Sequence, residues 1–269
     1  YVHNVYGFSD SGLIVTGGFN GALTVYNKSG EYLTRLLGHS GTITALACDG
    51  DLLISASEDQ IIRFWDLKGG ESPGSGLSTK RPSLNLFIAE DNEWVLWSGD
   101  GYYYSSVRGD SYIGYHINQG TDKQALYYPS DRFYKALYNP EYIKGIAADL
   151  TAPAGAVRRG IAALPSIGIT DILPPVVTVL FSKNRMRSDG EFLNVDFTVA
   201  SNSPIHEVKI LLNGRPFWQH SPAATTDFNL RFNQQIPLHE PTNVIAIISA
   251  GEYASGAPVL ISADRSTNA

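Results

Sequence analysis

Leu52-Leu53-Ile54-Ser55-Ala56-Ser57-Glu58-Asp59, continued by Gln60-Ile61-Ile62-Arg63-Phe64-Trp65-Asp66, reads as one β-hairpin. An apolar run rich in branched side chains reaches a polar turn at Glu58-Asp59, and a second alternating run leaves it. The same unit occurs once before. Leu13-Ile14-Val15-Thr16-Gly17-Gly18-Phe19-Asn20 lies over 52–59, and 21–27 lies over 60–66, at a constant offset of 39 residues. Thr16 then falls on Ser55, Asn20 on Asp59, Tyr26 on Trp65 and Asn27 on Asp66. A repeat of this period predicts stacked units, each burying a sheet face against its neighbour.

The second copy is preceded by Gly38-His39 and ends in Phe64-Trp65-Asp66-Leu67. With Ser55 and Asp59 between, this resembles the WD-repeat family, whose blades run from Gly-His to Trp-Asp over about 40–45 residues. The resemblance implies a buried hydrogen-bond chain through His39, Ser55, Asp59 and Trp65, with Ser57 competing for the place of Ser55. Such a chain is structural: buried polar groups must be paired, and their pairing holds strands in register. The first copy departs from the pattern at Asn20 and Tyr26, and His3 lacks a preceding Gly, so its chain is expected to be degraded or absent. Gly38-His39-Ser40-Gly41 suggests a nucleophile elbow, but that motif needs Gly-x-Ser-x-Gly and Thr42 holds the last place.

Further on, strand signals at 84–89, 94–97, 101–105 and 112–117 carry the aromatic centre of the chain. The first can complete the Trp65 blade, and the rest can build a divergent terminal blade. Trp94, Trp97, Tyr102, Tyr103 and Tyr104 form a candidate interaction surface, because Trp and Tyr concentrate at binding hot spots; blade packing is the competing reading. Glu93-Trp94-Val95-Leu96-Trp97, Gly101-Tyr102-Tyr103, Gly109-Asp110 and Ile113-Gly114-Tyr115-His116 resemble a segment of bacterial caspase-like peptidase proteins. There the segment follows a WD-repeat propeller and precedes an immunoglobulin-like domain and the peptidase.

Residues 122–163 read as helical. Tyr128 to Tyr138 has apolar positions at helical spacing, with Ser130 or Asp131 as cap. Asn139-Pro140 opens a helix over 141–149, and a further one is expected over 155–163. From Val176 seven short strands follow, at 176–181, 192–200, 205–212, 217–220, 227–235, 243–250 and 259–263. That count suits an immunoglobulin-like sandwich, and Asn213-Gly214 is a two-residue hairpin turn. The expected fold is therefore mainly β: the C-terminal blades of a partial WD-repeat propeller (1–118), a short helical connector (119–173) and an immunoglobulin-like β-sandwich (174–269).

A net charge of -6 argues against nucleic acid, and the most basic stretch, 183–187, holds only three basic residues. No apolar run approaches the ~20 residues of a membrane span. Cys48, the single cysteine, lies in an apolar strand-like run and reads as a buried, inert thiol. His206, Glu207, His220, His239 and Glu240 invite a metal reading, but no two of the histidines have ligand spacing. No cofactor motif is present. The chain begins at Tyr1, and its single methionine is Met186, which predicts a piece of a longer protein. Preceding blades, a protein partner or a second copy would then cover the leading face around 2–8 and 13–15.

These readings converge on a non-catalytic protein-interaction and regulatory scaffold, cytoplasmic, from a larger bacterial WD-repeat caspase-like peptidase protein. The alternatives are an envelope or secreted ligand-binding module using the Tyr/Trp-rich segment, and a hydrolase with an unrecognised site.

Overall fold

The computed structural model describes residues 3–8, 12–67, 80–152, 168–180, 185–188, 191–222 and 228–265. The chain is mainly β and divides into two compact units: residues 1–114 with 137–165, and 115–136 with 166–269. The stretch 119–173, read from sequence as one connector, is thus shared between the two units.

In the first unit, β1 (His3–Phe8), β2 (Ile14–Gly18), β3 (Leu23–Tyr26) and β4 (Tyr32–Leu36) form an antiparallel meander. β5 (Ile43–Asp49), β6 (Leu52–Ser57), β7 (Ile62–Asp66) and β8 (Leu84–Ile88) repeat it. Both copies therefore become four-stranded open sheets of the propeller-blade kind. β9 (Trp94–Ser98) and β10 (Tyr103–Ser105) do not start the separate terminal blade expected from sequence. They extend the second sheet to six strands. The cause is local: Ala89 N–H donates to Glu93 O at 2.8 Å, and Asn92 adopts φ 65°, so a tight hairpin keeps β9 beside β8.

One apolar cluster joins the two sheets, with Leu13, Val15, Leu23, Val25 and Leu36 meeting Ile43, Leu53, Trp65 and Leu67. A Cβ on Gly17 would stand 2.7 Å from the Ile43 side chain, so the face bearing Leu13, Val15 and Gly17 looks at the second sheet. Leu13 and Val15 are 4% and 0% exposed. The expectation that they await cover from outside the chain is corrected, because alternation turns Ile14, Thr16, Thr24 and Tyr26 to the opposite face instead. Cys48 is half-buried against the cluster rather than fully buried.

After β10, a short helix α1 (Tyr134–Leu137) precedes α2 (Pro140–Leu150). Asn139 caps α2 by accepting the Tyr142 N–H at 3.0 Å, and Pro140 occupies the first turn, where its missing N–H costs nothing. α2 packs on β9 and β10 through Ile143, which is fully buried. The helix expected over 155–163 lies outside the described residues.

In the second unit, β11 (Gly114–Ile117) pairs with β12 (Leu126–Pro129), so Tyr128 is in a strand and not in the helix its spacing suggested. Two further sheets face each other. β13 (Val176–Val179), β14 (Arg185–Ser188), β15 (Phe192–Ala200), β16 (Ile205–Leu212), β17 (Arg215–His220), β18 (Asn229–Pro237), β19 (Thr242–Gly251) and β20 (Val259–Arg265) assemble as β13-β15-β18 and β14-β20-β19-β16-β17. Val195, Phe197 and Val199 from one sheet meet Val208, Ile210 and Leu212 from the other, as their alternation requires. Asn213 and Gly214 take φ 50° and 78°, the pair of positive values that a tight hairpin needs. β14 was not foreseen, since Arg185-Met186-Arg187-Ser188 has no apolar alternation; it pairs in parallel with β20. Among the described residues no helix is long and apolar enough to cross a membrane.

Candidate functional site

The four residues singled out in the second repeat come from four different places. His39 precedes β5, Ser55 lies on β6, Asp59 is in the β6–β7 turn and Trp65 is on β7. Cross-strand register sets Leu53 opposite Trp65 and Ser55 opposite Arg63, which puts the indole and the Ser55 hydroxyl on one face. Trp65 Nε1 donates to Ser55 Oγ at 2.8 Å, and Ser55 Oγ lies 2.8 Å from His39 Nε2. His39 Nδ1 lies 3.0 Å from Asp59 Oδ2.

The direction of the chain follows from the Asp59 end. A carboxylate only accepts, so Nδ1 carries the proton of the neutral ring and Nε2 accepts from Ser55. Every group then has one role: Trp65 N–H to Ser55, Ser55 O–H to His39, His39 N–H to Asp59. Asp59 also accepts the backbone N–H groups of Ser40 and Ile61, each at 3.0 Å. Ser57 plays a different part, accepting the Asp59 N–H at 3.2 Å, so of the two serines Ser55 is the one in the chain.

Burial of the ring drives the His39 pKa below its ordinary 6.5, against the pull of Asp59. Burial alone would raise the Asp59 carboxyl, but the Ser40 amide, His39 and the Ile61 amide outweigh it and hold the pKa low. At neutral pH the site is a neutral imidazole beside a carboxylate. Arg63, which sequence reasoning missed, closes the rim: Nη2 donates to Gly38 O at 2.9 Å, and Nη1 stands 3.6 Å from Asp59. Its signal was available in the four-residue spacing from Asp59. Gly38 is dictated by space, since a Cβ there would sit 2.9 Å from Arg63 Nε and 3.1 Å from the Trp65 ring.

Asp, His and Ser in hydrogen-bond series are also the connectivity of an acyl-transfer triad. The nucleophile of a triad must meet substrate, however, and Ser55 is 0% exposed with its oxygen already held by the indole. The arrangement is suited to locking strands, not to attacking a carbonyl.

The first repeat has only remnants of this chain. Asn20 Oδ1 accepts the Ala22 N–H at 3.2 Å, as Asp59 does for Ile61. Thr16, in the place of Ser55, is 7% exposed and its hydroxyl has no partner among the described residues. Tyr26 turns its ring edge-on to Tyr32, 6.3 Å away.

The aromatic surface expected at Trp94, Trp97, Tyr102, Tyr103 and Tyr104 is largely interior. Tyr102 and Tyr103 are 4% and 0% exposed, and the other three are half-buried. Tyr102 packs on Tyr142 at 5.1 Å, Tyr103 on Tyr138 at 5.5 Å and Trp94 on Tyr104 at 4.9 Å, while Lys144 lies over the Tyr104 ring. Burial, with Asp100 accepting the Tyr142 hydroxyl at 2.6 Å, holds that phenol up at about 12. These rings form a bed for α2, which removes Tyr102 and Tyr103 from any contact surface. Among the described residues, His206, His220 and His239 join no group of three metal-ligating side chains.

With this geometry in view, residues 30–66 match the family model described as WD domain, G-beta repeat. The chain is 28% identical over 108 residues to the ribosome biogenesis protein WDR12 homolog of Chlamydomonas reinhardtii, covering 39% of this chain and 24% of that protein. It is 30% identical over 111 residues to the p21-activated protein kinase-interacting protein 1-like of Danio rerio, covering 40% and 27%. It thus spans about a quarter of the length of these curated relatives. Among solved structures, the WD40 β-propeller domain of Doa1 is 18% identical, covers 48% of each chain and superposes with a TM-score of 0.26, too low to add to the repeat match. Residues 30–66 thus carry a WD repeat.

Proposed function

We propose that this chain is a non-catalytic interaction and regulatory scaffold of a larger caspase-like peptidase protein of bacterial type, working in the cytoplasm. The observation that carries the non-catalytic part is the commitment of His39: both ring nitrogens are engaged, and its serine partner is sealed from solvent. Cys48 is half-buried against the inter-sheet core. Caspase-like peptidase chemistry needs a Cys-His pair, and in this reading the pair lies elsewhere in the parent protein. The order of elements supports the architecture: blades, then the aromatic segment, then the sandwich. The sandwich is read as immunoglobulin-like because β13 lies antiparallel to β15 in one sheet, whereas β14 joins the other sheet in parallel with β20.

The test is peptide hydrolysis by the parent protein and by this chain alone, on a broad fluorogenic panel. The parent should cleave, this chain should not, and Cys48→Ser should leave the parent's rate unchanged. Hydrolysis by the isolated chain, or loss of the parent's activity in Cys48→Ser with the fold intact, would overturn the reading.

A further inference from the structure

The second unit contains a groove of about 390 Å3 that neither the repeats nor the sandwich core accounts for. Tyr127 and Tyr128 of β12, Arg132, Pro175, Val177 of β13 and Val259 of β20 line it. All lie within one compact unit. Tyr127 is 60% exposed at the groove.

The groove meets an open sheet edge. Among the described residues β13 is the outermost strand of its sheet and pairs only with β15. Leu180 N–H bonds Asp196 O at 2.9 Å, and the register sets Thr178 opposite Thr198 and Val176 opposite Ala200. Hydrogen-bonded and non-bonded pairs alternate along an antiparallel ladder, so Val177 and Val179 turn their N–H and C=O groups away from β15. Among the described residues nothing takes those groups. Their two-residue spacing matches the repeat of an extended chain, which binds such an edge by main-chain bonds and uses pockets for alternate side chains.

Arg132 supplies the charge. Its Nη1 donates to Gly256 O at 3.0 Å, and Nε stands 3.6 Å from Asp131. Nη2 has no partner among the described residues, and a carboxylate would complete its donor set. We infer that this groove takes an extended segment of a partner protein, with apolar side chains at alternate positions and an Asp or Glu that reaches Arg132. The inference rests on the reading of the chain as an interaction scaffold and names one surface of it.

The probes are a fluorescein-labelled acetyl-Val-Thr-Val-Thr-Val-Glu amide, its reversed sequence and their Gln counterparts, titrated into the chain and followed by anisotropy. One Glu probe should bind saturably and about tenfold tighter than its Gln counterpart, as a charge-assisted pair requires. Arg132→Gln should erase that difference, Tyr127→Ala should weaken both probes, and the Val177 and Val179 amides should exchange more slowly on binding. Absence of saturable binding would overturn the inference, as would affinities indifferent to Arg132→Gln and Tyr127→Ala in variants with unchanged melts. Slow exchange at Val177 and Val179 without probe, in a chain that sediments as a dimer, would assign the edge to a second copy and also overturn it. Hydrolysis by the chain alone would strike the scaffold reading instead, so the two failures are distinguishable.

Discussion

Removing the His39 ring is the most direct perturbation of the second repeat. His39→Ala cuts two side-chain hydrogen bonds at once, Ser55 to Nε2 at 2.8 Å and Nδ1 to Asp59 at 3.0 Å. The neutral bond is worth about 1 kcal/mol and the one to the carboxylate about 2 kcal/mol. Asp59 keeps the Ser40 and Ile61 amides and the nearby Arg63, so it is not stranded as a bare buried charge. Ser55 keeps the indole N–H but loses its acceptor. The expected loss is therefore about 3 kcal/mol, a large part of the stability of a small domain. Urea unfolding followed by tryptophan emission reads it, in a Trp218→Phe background, because Trp65, Trp94 and Trp97 belong to the first unit and Trp218 to the second. A cycle with Ser55→Ala should show coupling of about 1 kcal/mol between the two sites. A His39→Ala loss below about 0.5 kcal/mol, or strict additivity in the cycle, would refute the continuous chain.

The orphan hydroxyl of Thr16 gives the opposite expectation: Thr16→Val keeps the shape, removes an unpaired buried oxygen and should raise the urea midpoint by the equivalent of about 1 kcal/mol, whereas a clear loss would reveal a partner for that hydroxyl. The low pKa of His39 means that the unfolded chain takes up a proton before the folded one, so this contribution is complete above pH 6.5 and is lost as pH falls toward the folded pKa. Asp59, also lowered, adds a second loss in more acid solution, below its ordinary 3.8. Urea midpoints should accordingly fall below pH 6.5, and His39→Gln should flatten the upper part of that slope; an unchanged slope would remove His39 from the account. Gly21 has φ 74°, and a Cβ there would stand 2.4 Å from His39 O, so Gly21→Ala should cost about 2 kcal/mol or more by thermal unfolding. Gln60, its counterpart one repeat later at φ 66°, shows that positive φ alone is tolerated at this turn; a neutral Gly21→Ala would mean that the His39 backbone gives way.

Much of this protein is legible in one dimension because its signals are periodic. The 39-residue offset places two hairpins at equivalent positions, and β2, β3, β6 and β7 form there. Alternation at Val195, Phe197 and Val199, and again at Val208, Ile210 and Leu212, selects the buried side of β15 and β16 before any partner sheet is known. Asn213-Gly214 marks its turn because few other pairs tolerate two positive φ values. Gly-His, Asp and Trp at their spacings were enough to single out His39, Asp59 and Trp65, with Ser55 and Ser57 both in contention for the serine.

Periodicity says which residues share a face, but not what lies opposite that face, and there the tertiary structure decides. It turns Leu13 and Val15 toward the second sheet and leaves the Thr16 hydroxyl without a partner among the described residues. It chooses Ser55 over Ser57, two serines on the same side of β6, because only Ser55 lies within reach of both the indole and the imidazole. It buries Tyr102 and Tyr103 beneath α2, where the sequence shows only a run of aromatics. β14 forms from Arg185 to Ser188 because β20 offers a free edge, and four residues without apolar alternation have no other reason to be a strand. Local propensity and pattern act within a few residues, whereas these choices depend on groups brought together from distant parts of the chain, whose positions exist only once it has folded.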